Sequence, residues 1–222
     1  MDKRFQVISE VRGYWEALQD GRGVPARAAV DPRGIERALE YAFILERIAP
    51  SIARFRLAGM HLSDLMGMEV RGMPLTSFFT PKARPRVAQV LERVFQGPEI
   101  AELTLVGEPG FGKPDLRAAL LILPLKSDLG DVTRALGCLV TDGKIGRAPR
   151  RFDIAAAVST RVHDAGAARL PAAAPRHAGP ERAPAGSGFA ERAPVFHAAP
   201  SALREGATPE ERRAMLRVVR SD

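Results

Sequence analysis

The chain has very little cysteine and histidine. Cys138 is its single cysteine, which excludes an intramolecular disulfide framework and a zinc site built on several cysteines. Of its four histidines, His163, His177 and His197 lie at or beyond the edge of the part that we expect to fold, which leaves His61. A lone histidine is more often a packed or surface residue than a metal or haem ligand. The sequence therefore predicts no metal centre.

Long hydrophobic runs are also missing. No apolar run approaches the roughly 20 residues that a membrane-spanning helix needs. The N-terminal stretch MDKRFQVISEVRGYW has neither the continuous apolar core nor the small-residue cleavage site of a secretory signal. We therefore expect a cytoplasmic chain without a transmembrane segment.

Catalytic motifs are absent as well. The sequence contains no G-x-S-x-G and no H-E-x-x-H motif. The carboxylates of Glu99, Glu102 and Glu108 alternate with apolar residues or lie in a turn, which is typical of a solvated strand face. We therefore expect no catalytic residues and no enzymatic activity.

One motif of a nucleotide-binding site does occur. Gly107–Lys113 has the spacing G-x-x-x-x-G-K of a phosphate-binding P-loop, which needs a strand before it and a helix after it. Here Asp115–Ser127 follows, with Pro124 inside a Leu/Ile-rich run that favours a strand, and Pro114 replaces the Ser or Thr that would bind Mg²⁺. We therefore interpret the motif as a hairpin loop whose lysine faces water.

Charge is distributed unevenly along the chain. Hydrophobic residues at 45% and charged residues at 27% fit a soluble globular protein with a net charge of +7. Residues 1–144 contain 20 Lys and Arg against 18 Asp and Glu, a net charge of +2, whereas residues 145–222 contain 13 against 8, a net charge of +5. The alternative function of a basic-tailed adaptor that contacts nucleic acid or an anionic membrane would therefore reside in the second part. Counterion release would make such binding weaken steeply with salt.

The composition changes after the first 144 residues. Residues 145–206 are rich in Ala, Pro and Arg, and we expect a disordered linker because such a segment buries too little apolar surface. Residues 207–222 predict a short helix or interaction motif, with Thr208 as N-cap. Its apolar patch supplies three candidate contacts to a partner: Met215, Leu216 and Val219.

The remaining residues predict an alternation of helices and strands. Residues 1–22 have the apolar stripe of an amphipathic helix, which includes Trp15 and Leu18. Residues 41–48 predict a strand with Tyr41, Phe43 and Leu45 on one face, and residues 52–59 predict its hairpin partner with Phe55 and Leu57 on one face.

Short helical turns are expected over residues 60–79, with their methionines and phenylalanines mostly inward. A longer helix follows Pro85 and ends at Gly97, because five apolar residues recur at helical spacing: Val87, Val90, Leu91, Val94 and Phe95. Three strands complete the pattern, at residues 99–107, 115–127 and 131–143.

This order of elements and a set of scattered residues resemble the PAS-like family of small alphaproteobacterial proteins, once known as a domain of unknown function. The resemblance covers residues 10 to about 142 and rests on three groups. They are Trp15, Leu18, Gly21, Pro25, Arg27, Asp31 and Pro32; then Phe55, Arg56, Leu57, Ala58, Gly59, Leu65, Gly67, Glu69 and Gly72; then Leu123, Pro124, Leu125, Leu136 and Gly137.

The resemblance implies an α+β fold in which residues 23–144 form a PAS-like domain. Its five-stranded antiparallel sheet has the order 2-1-5-4-3, with helices on one face and an N-terminal flanking helix. The cup between sheet and helices is where PAS domains hold ligands. The apolar candidates for its lining are Phe43, Phe55, Leu57, Met66, Phe79, Leu91 and Phe95; alternatively, these side chains simply fill the core.

The resemblance also bears on function. The chain lacks the cysteine motif of flavin-binding photoreceptor members and the helix histidine of haem-binding members, so we expect neither cofactor. What remains is a non-catalytic sensory module that binds a small apolar or mixed ligand or an unidentified protein partner. Many PAS domains dimerise through the flanking helix, which makes Trp15 and Leu18 candidate dimer contacts; packing of this helix on its own sheet is the alternative.

Overall fold

A computed structural model describes residues 3–19 and 23–162. The regular elements of this part of the chain follow in order, with three short 3-10 segments at Arg27–Ala29, Pro32–Ala38 and Leu75–Phe78. They are α1 (Lys3–Gln19), β1 (Ala42–Ala49), β2 (Ile52–Ala58), α2 (Met60–Met66), α3 (Arg84–Gln96), β3 (Glu99–Gly107), β4 (Arg117–Lys126), β5 (Val132–Asp142) and β6 (Phe152–Arg161). The C-terminal helix expected at residues 207–222, with Met215, Leu216 and Val219, lies outside the described residues.

The sheet is antiparallel throughout, with the strand order β2-β1-β5-β4-β3-β6. The predicted order 2-1-5-4-3 is therefore confirmed for the first five strands. The predicted helix after Pro85 is also confirmed, because α3 buries all five of its periodic apolar residues and ends at Gly97.

The sixth strand corrects the expectation of a disordered linker for residues 145–162, whereas residues 163–206 of that segment lie outside the described residues. β6 pairs with β3 from Glu99 opposite Arg161 to Gly107 opposite Phe152, with Ala155 as one extra residue on β6. The segment reads IAAAV at its centre, and alanine has a low intrinsic preference for strands. The free edge of β3 supplies the backbone partners that composition alone does not reveal, so the folded domain extends to at least Val162.

Both faces of the sheet are covered, because the predicted helices lie on one face and the N-terminal flanking helix packs on the other. The inner face packs on α2, α3 and the segment Leu75–Phe78, and the outer face packs on α1 and the segment Pro32–Ala38. Each face therefore has its own hydrophobic core: the inner core around Phe55 and the outer core around Trp15.

An irregularity in the β1–β2 pairing moves one predicted residue to the other face. Ile44 lies opposite Leu57, and the next residue, Leu45, lies opposite Phe55, so Arg56 is an extra residue on β2. Because side chains alternate along a strand, the extra residue separates the two apolar neighbours. Phe55 is buried in the inner core, whereas Leu57 is 53% exposed, so the expectation that they share a face is wrong.

The methionines around α2 correct a second detail. Met66 is buried, but Met60 and Met68 are largely exposed, at 74% and 59%. Tyr41 precedes β1 and packs against the outer core, so it does not share the inward face of Phe43 and Leu45.

Within the described residues, no helix is long and apolar enough to cross a membrane.

Candidate functional site

The inner cup is occupied by its own side chains. Six predicted pocket residues are buried in the inner core: Phe43, Phe55, Met66, Phe79, Leu91 and Phe95. The Phe43 and Phe55 rings meet edge to face with centroids 5.3 Å apart, and the Phe55 and Phe78 rings lie at the same distance. A Cβ atom at Gly137 would lie 2.1 Å from Cζ of Phe43. Aromatic rings therefore fill the cup beside Gly137, as in the alternative of a packed core.

The seventh candidate, Leu57, lies elsewhere. It lines a groove of about 180 Å³ on the outer side of the sheet, together with Leu39, Ile35 and Leu136. Leu39 is 40% exposed, so this groove is a shallow apolar surface. The Leu57 side chain is thus outside the inner core that holds the other six candidates, although Phe43 also lines this groove.

Trp15 is part of the outer core. Its side chain is fully buried, and its Nε1 donates a hydrogen bond to the carbonyl oxygen of Pro124 at 2.9 Å. Val7 and Val11, one and two turns earlier on α1, are buried in the same core, whereas Leu18 is half-buried. The flanking helix therefore packs on its own sheet.

The G-x-x-x-x-G-K motif forms the connection between β3 and β4, as predicted. It leads into a strand and not a helix, so the helix N-terminus of a P-loop is missing. The expectation that Lys113 faces water is wrong in detail, since its side chain is only 18% exposed and its Nζ lies 3.5 Å from a carboxylate oxygen of Glu108. Phe111, at the tip, is 93% exposed.

A buried arginine holds the base of this connection. Arg150 is fully buried and its guanidinium donates hydrogen bonds to the carbonyl oxygens of Ile145 and Pro114, the latter at 2.9 Å. Burial lowers the pKa of this guanidinium. Two backbone bonds tie the same region together, from Glu108 N to Arg151 O and from Arg147 N to Gly112 O, both at 2.7 Å. These hydrogen bonds fix the conformation of the glycine-rich connection, which is therefore a structural turn.

A larger cleft lies on the outer face, between α1 and the strands β3, β4 and β6. We call it the outer cleft; its volume is about 420 Å³. Small apolar side chains form much of its lining on the sheet, and α1 forms one wall. The lining residues include Ile8, Arg12, Glu102, Arg117, Ala119, Ala156 and Val158.

An ion pair joins the helix to the sheet at this cleft. Arg12 of α1 donates a hydrogen bond to Oε1 of Glu102 on β3, and its Nε donates to Oε1 of Glu16 at 2.9 Å. The hydrogen bond that Arg12 donates to Glu16 and the charges of both carboxylates raise the pKa of Arg12 against the effect of burial. The cleft thus has an apolar floor and a polar rim, the usual chemistry of a small-molecule site.

His61 is a packed residue at the start of α2. Its Nε2 lies 3.1 Å from the hydroxyl of Thr141. Its ring packs edge to face with the Tyr41 ring, with the ring centroids 4.9 Å apart. Burial lowers the pKa of His61, against the opposing charges of Glu40 and Asp64. No cluster of three metal-binding side chains occurs among the described residues.

The lowered pKa of His61 gives a pH prediction. Folding disfavours protonation of His61. The contribution of neutral His61 to the free energy of unfolding is therefore complete above the unfolded-state pKa of about 6.5, and it is lost as the pH falls below that value. We expect the free energy of unfolding to drop between about pH 7 and pH 5 more steeply in the wild type than in His61→Gln. Urea titrations at each pH measure the difference, and parallel pH curves for the two proteins would contradict it.

The residues of the outer cleft were not predicted from the sequence. Two of them, Ala156 and Val158, belong to β6, which was assigned to the linker. The others are ordinary outward-facing positions on their own elements, such as Glu102 and Ala119. The sequence signal for this strand was the alternation of side chains through residues 152–158, but the low strand preference of alanine made that signal weak.

Comparison with known proteins gives one family match. A family model described as a PAS domain matches residues 4–140 of the chain. No curated relative matches the chain in sequence.

Solved structures give further matches. The light-state structure of the blue-light photoreceptor Aureochrome1 LOV matches with 15% identity and a TM-score of 0.38, over 50% of this chain and 88% of that chain. A light-oxygen-voltage domain described with a flavin analogue matches with 21% identity and a TM-score of 0.37, over 50% and 84%. An RNA-binding light-oxygen-voltage receptor matches with 17% identity and a TM-score of 0.36, over 51% and 33%.

Proposed function

Because the chain belongs to the PAS domain family, whose model matches residues 4–140, we propose that it is a non-catalytic sensory module that binds a small ligand. A protein partner then reads the bound state. The observation that carries this proposal is the outer cleft, since its volume of about 420 Å³ falls within the range of about 300–1,000 Å³ of ligand pockets. The inner cup is the less favourable place, because its aromatic side chains pack on one another.

The lining of the outer cleft favours a mixed ligand. Ala119, Ala156 and Val158 offer contacts to an apolar body, and the guanidinium groups of Arg12 and Arg117 suit a carboxylate or phosphate. An anionic group that binds Arg12 competes with Glu102 for the same donors. Binding would therefore change the contact that joins α1 to β3, and a change in α1 is a signal that a partner can read.

Filling the outer cleft is expected to abolish ligand retention. Native mass spectrometry of the full chain purified from its own host should show an added small-molecule mass on the wild type. Ala119→Trp should lose that mass, because an indole ring replaces a half-buried methyl group in the cleft. Val106→Trp is the matched control, since Val106 is exposed on β3 but does not line the cleft.

The proposal fails if the wild type carries no added mass, or if Ala119→Trp retains the mass as fully as Val106→Trp does. The alternative of a basic-tailed adaptor for nucleic acid or anionic membrane depends on basic residues that lie mostly outside the described part of the chain. Binding that falls steeply with salt and disappears when the chain is cut after Val162, which keeps β6, would support that alternative instead.

A further inference from the structure

The two edges of the sheet differ in how they are protected. β2, at one edge, contacts the segment that follows α2: Phe55 N donates to Met73 O at 3.0 Å, and Gly72 N donates to Phe55 O at 2.8 Å. β2 also carries Arg54 and Arg56, which form ion pairs with Glu46. A covered edge with charged side chains resists pairing with another strand.

β6, at the other edge, has little of this protection. Among the described residues, Phe79 bridges it at Phe152, its first residue, where Thr80 N also donates to Phe152 O at 3.1 Å. From Ile154 to Thr160 the strand carries no charged side chain, and Val158 is 62% exposed. A long uncharged edge strand with an exposed valine is a template for a further strand.

The direction of the backbone groups identifies which residues would pair. Val162 N donates to Pro98 O, on the side of β3, at 2.9 Å. Backbone groups point to alternate sides along an antiparallel strand, and the pairing of residues 156–161 with β3 is regular. The amide and carbonyl groups of Ala157, Ser159 and Arg161 therefore point away from β3.

We propose that this edge pairs with β6 of a second copy of the chain, antiparallel and centred on Val158, so that two sheets join into one. An antiparallel pair of identical strands has two-fold symmetry, which is the symmetry of most dimers. In this register Ala157 of each copy faces Ser159 of the other, and their outward backbone groups form the hydrogen bonds. Val158 of one copy lies opposite Val158 of the other, so the pairing buries part of each of these exposed side chains.

The side chains at the ends of the strand leave space for this register. Arg161, which is 79% exposed and forms an ion pair with Glu99 of its own sheet, lies opposite the small Ala155 of the other copy. The partner strand passes Ala155 before it reaches the bridge between Phe79 and Phe152. The proposed strand pairing does not involve α1, although Val158 also lines the outer cleft.

Disulfide trapping tests the register in the full chain. Val158→Cys places two cysteines opposite each other as a non-hydrogen-bonded pair, with Cα atoms about 4.5 Å apart, within the disulfide range of about 4.4–6.8 Å. We expect a covalent dimer on a non-reducing gel after mild oxidation. The native Cys138 should not react, because it is buried and burial raises the pKa of its thiol to about 12.

Ala156→Cys is the matched control. In the proposed register Ala156 faces Thr160 of the other copy, so the two new cysteines are four residues apart along the strands, about 13 Å, which is too far for a disulfide. Efficient crosslinking of Val158→Cys and little of Ala156→Cys supports the proposal. Equal crosslinking of both variants, or none of Val158→Cys, overturns it.

Sedimentation provides an independent measurement. The wild type should sediment as a dimer, and Val158→Lys should sediment as a monomer with an unchanged thermal unfolding temperature, because two like charges then meet on the two-fold axis. Val106→Lys, the same change at an exposed valine of β3, should remain a dimer. A monomeric wild type overturns the proposal, as does a Val158→Lys protein that stays dimeric.

Discussion

Replacing Trp15 with alanine is expected to lower the free energy of unfolding by about 3–5 kcal/mol, the usual cost of truncating a fully buried tryptophan. The indole is completely buried in the outer core and is the anchor of α1 on the sheet. Its removal leaves a cavity under the helix and leaves the carbonyl oxygen of Pro124 without its donor. Urea unfolding followed by circular dichroism measures the loss.

Trp15→Phe is the control for the hydrogen bond. It keeps an aromatic ring in the core and removes the Nε1 donor, so we expect a smaller loss than for alanine. A loss below about 1 kcal/mol for Trp15→Ala would contradict the packing of α1 on its own sheet. It would then favour the other hypothesis for this helix, in which Trp15 and Leu18 contact a second copy.

Gly59→Ala is expected to destabilise the domain by about 3 kcal/mol or more. Gly59 connects β2 to α2, and an added Cβ would lie 2.3 Å from the carbonyl oxygens of both Leu39 and Glu40. These obstacles are backbone atoms at the entrance to β1, so they cannot turn aside as a side chain would. The Gly59 amide also donates to Ala42 O at 2.8 Å, and separating the chains would stretch that bond.

The backbone angles of Gly59 show that crowding alone causes the destabilisation expected for Gly59→Ala. Its φ of −71° and ψ of 162° are ordinary for alanine, so the substitution introduces no conformational strain of its own. Gly13→Ala is the matched control, because a Cβ at Gly13 meets nothing within 4 Å and the residue lies inside α1. That change should stabilise the protein by about 0.5–1 kcal/mol. Thermal unfolding followed by Trp15 fluorescence measures both effects, and equal changes in unfolding temperature for the two substitutions would refute the crowding argument.

The elements that were predicted well carry their signal within a short window. The residues of α3 repeat at helical spacing between a proline and a glycine, so period and boundaries agree. β3, β4 and β5 contain dense apolar runs separated by turn residues, and all three form where expected. The P-loop interpretation could be rejected for the same reason, because Pro124 and the following apolar run favour a strand.

The candidate site could not be predicted in this way. The outer cleft combines one face of α1 with residues from three strands, and their approach depends on how far α1 extends across the sheet. Leu57 shows the limit most clearly, since one extra residue, Arg56, moves it to the opposite face. An irregularity of this kind depends on the partner strand, so the alternation of IARFRLA gives no sign of it.

The sequence by itself determined the PAS order of helices and strands, the absence of the parts of a P-loop, and the buried apolar face of α3. Periodicity and turn residues act locally, so these features can be read along the chain. Tertiary structure alone decided that α1 packs on the outer face, that β6 extends the sheet, and that the outer cleft forms between α1 and the strands β3, β4 and β6. Each of these depends on contacts between residues far apart in sequence, such as Trp15 with Pro124 and Val158 with Glu102, whose partners no local pattern specifies.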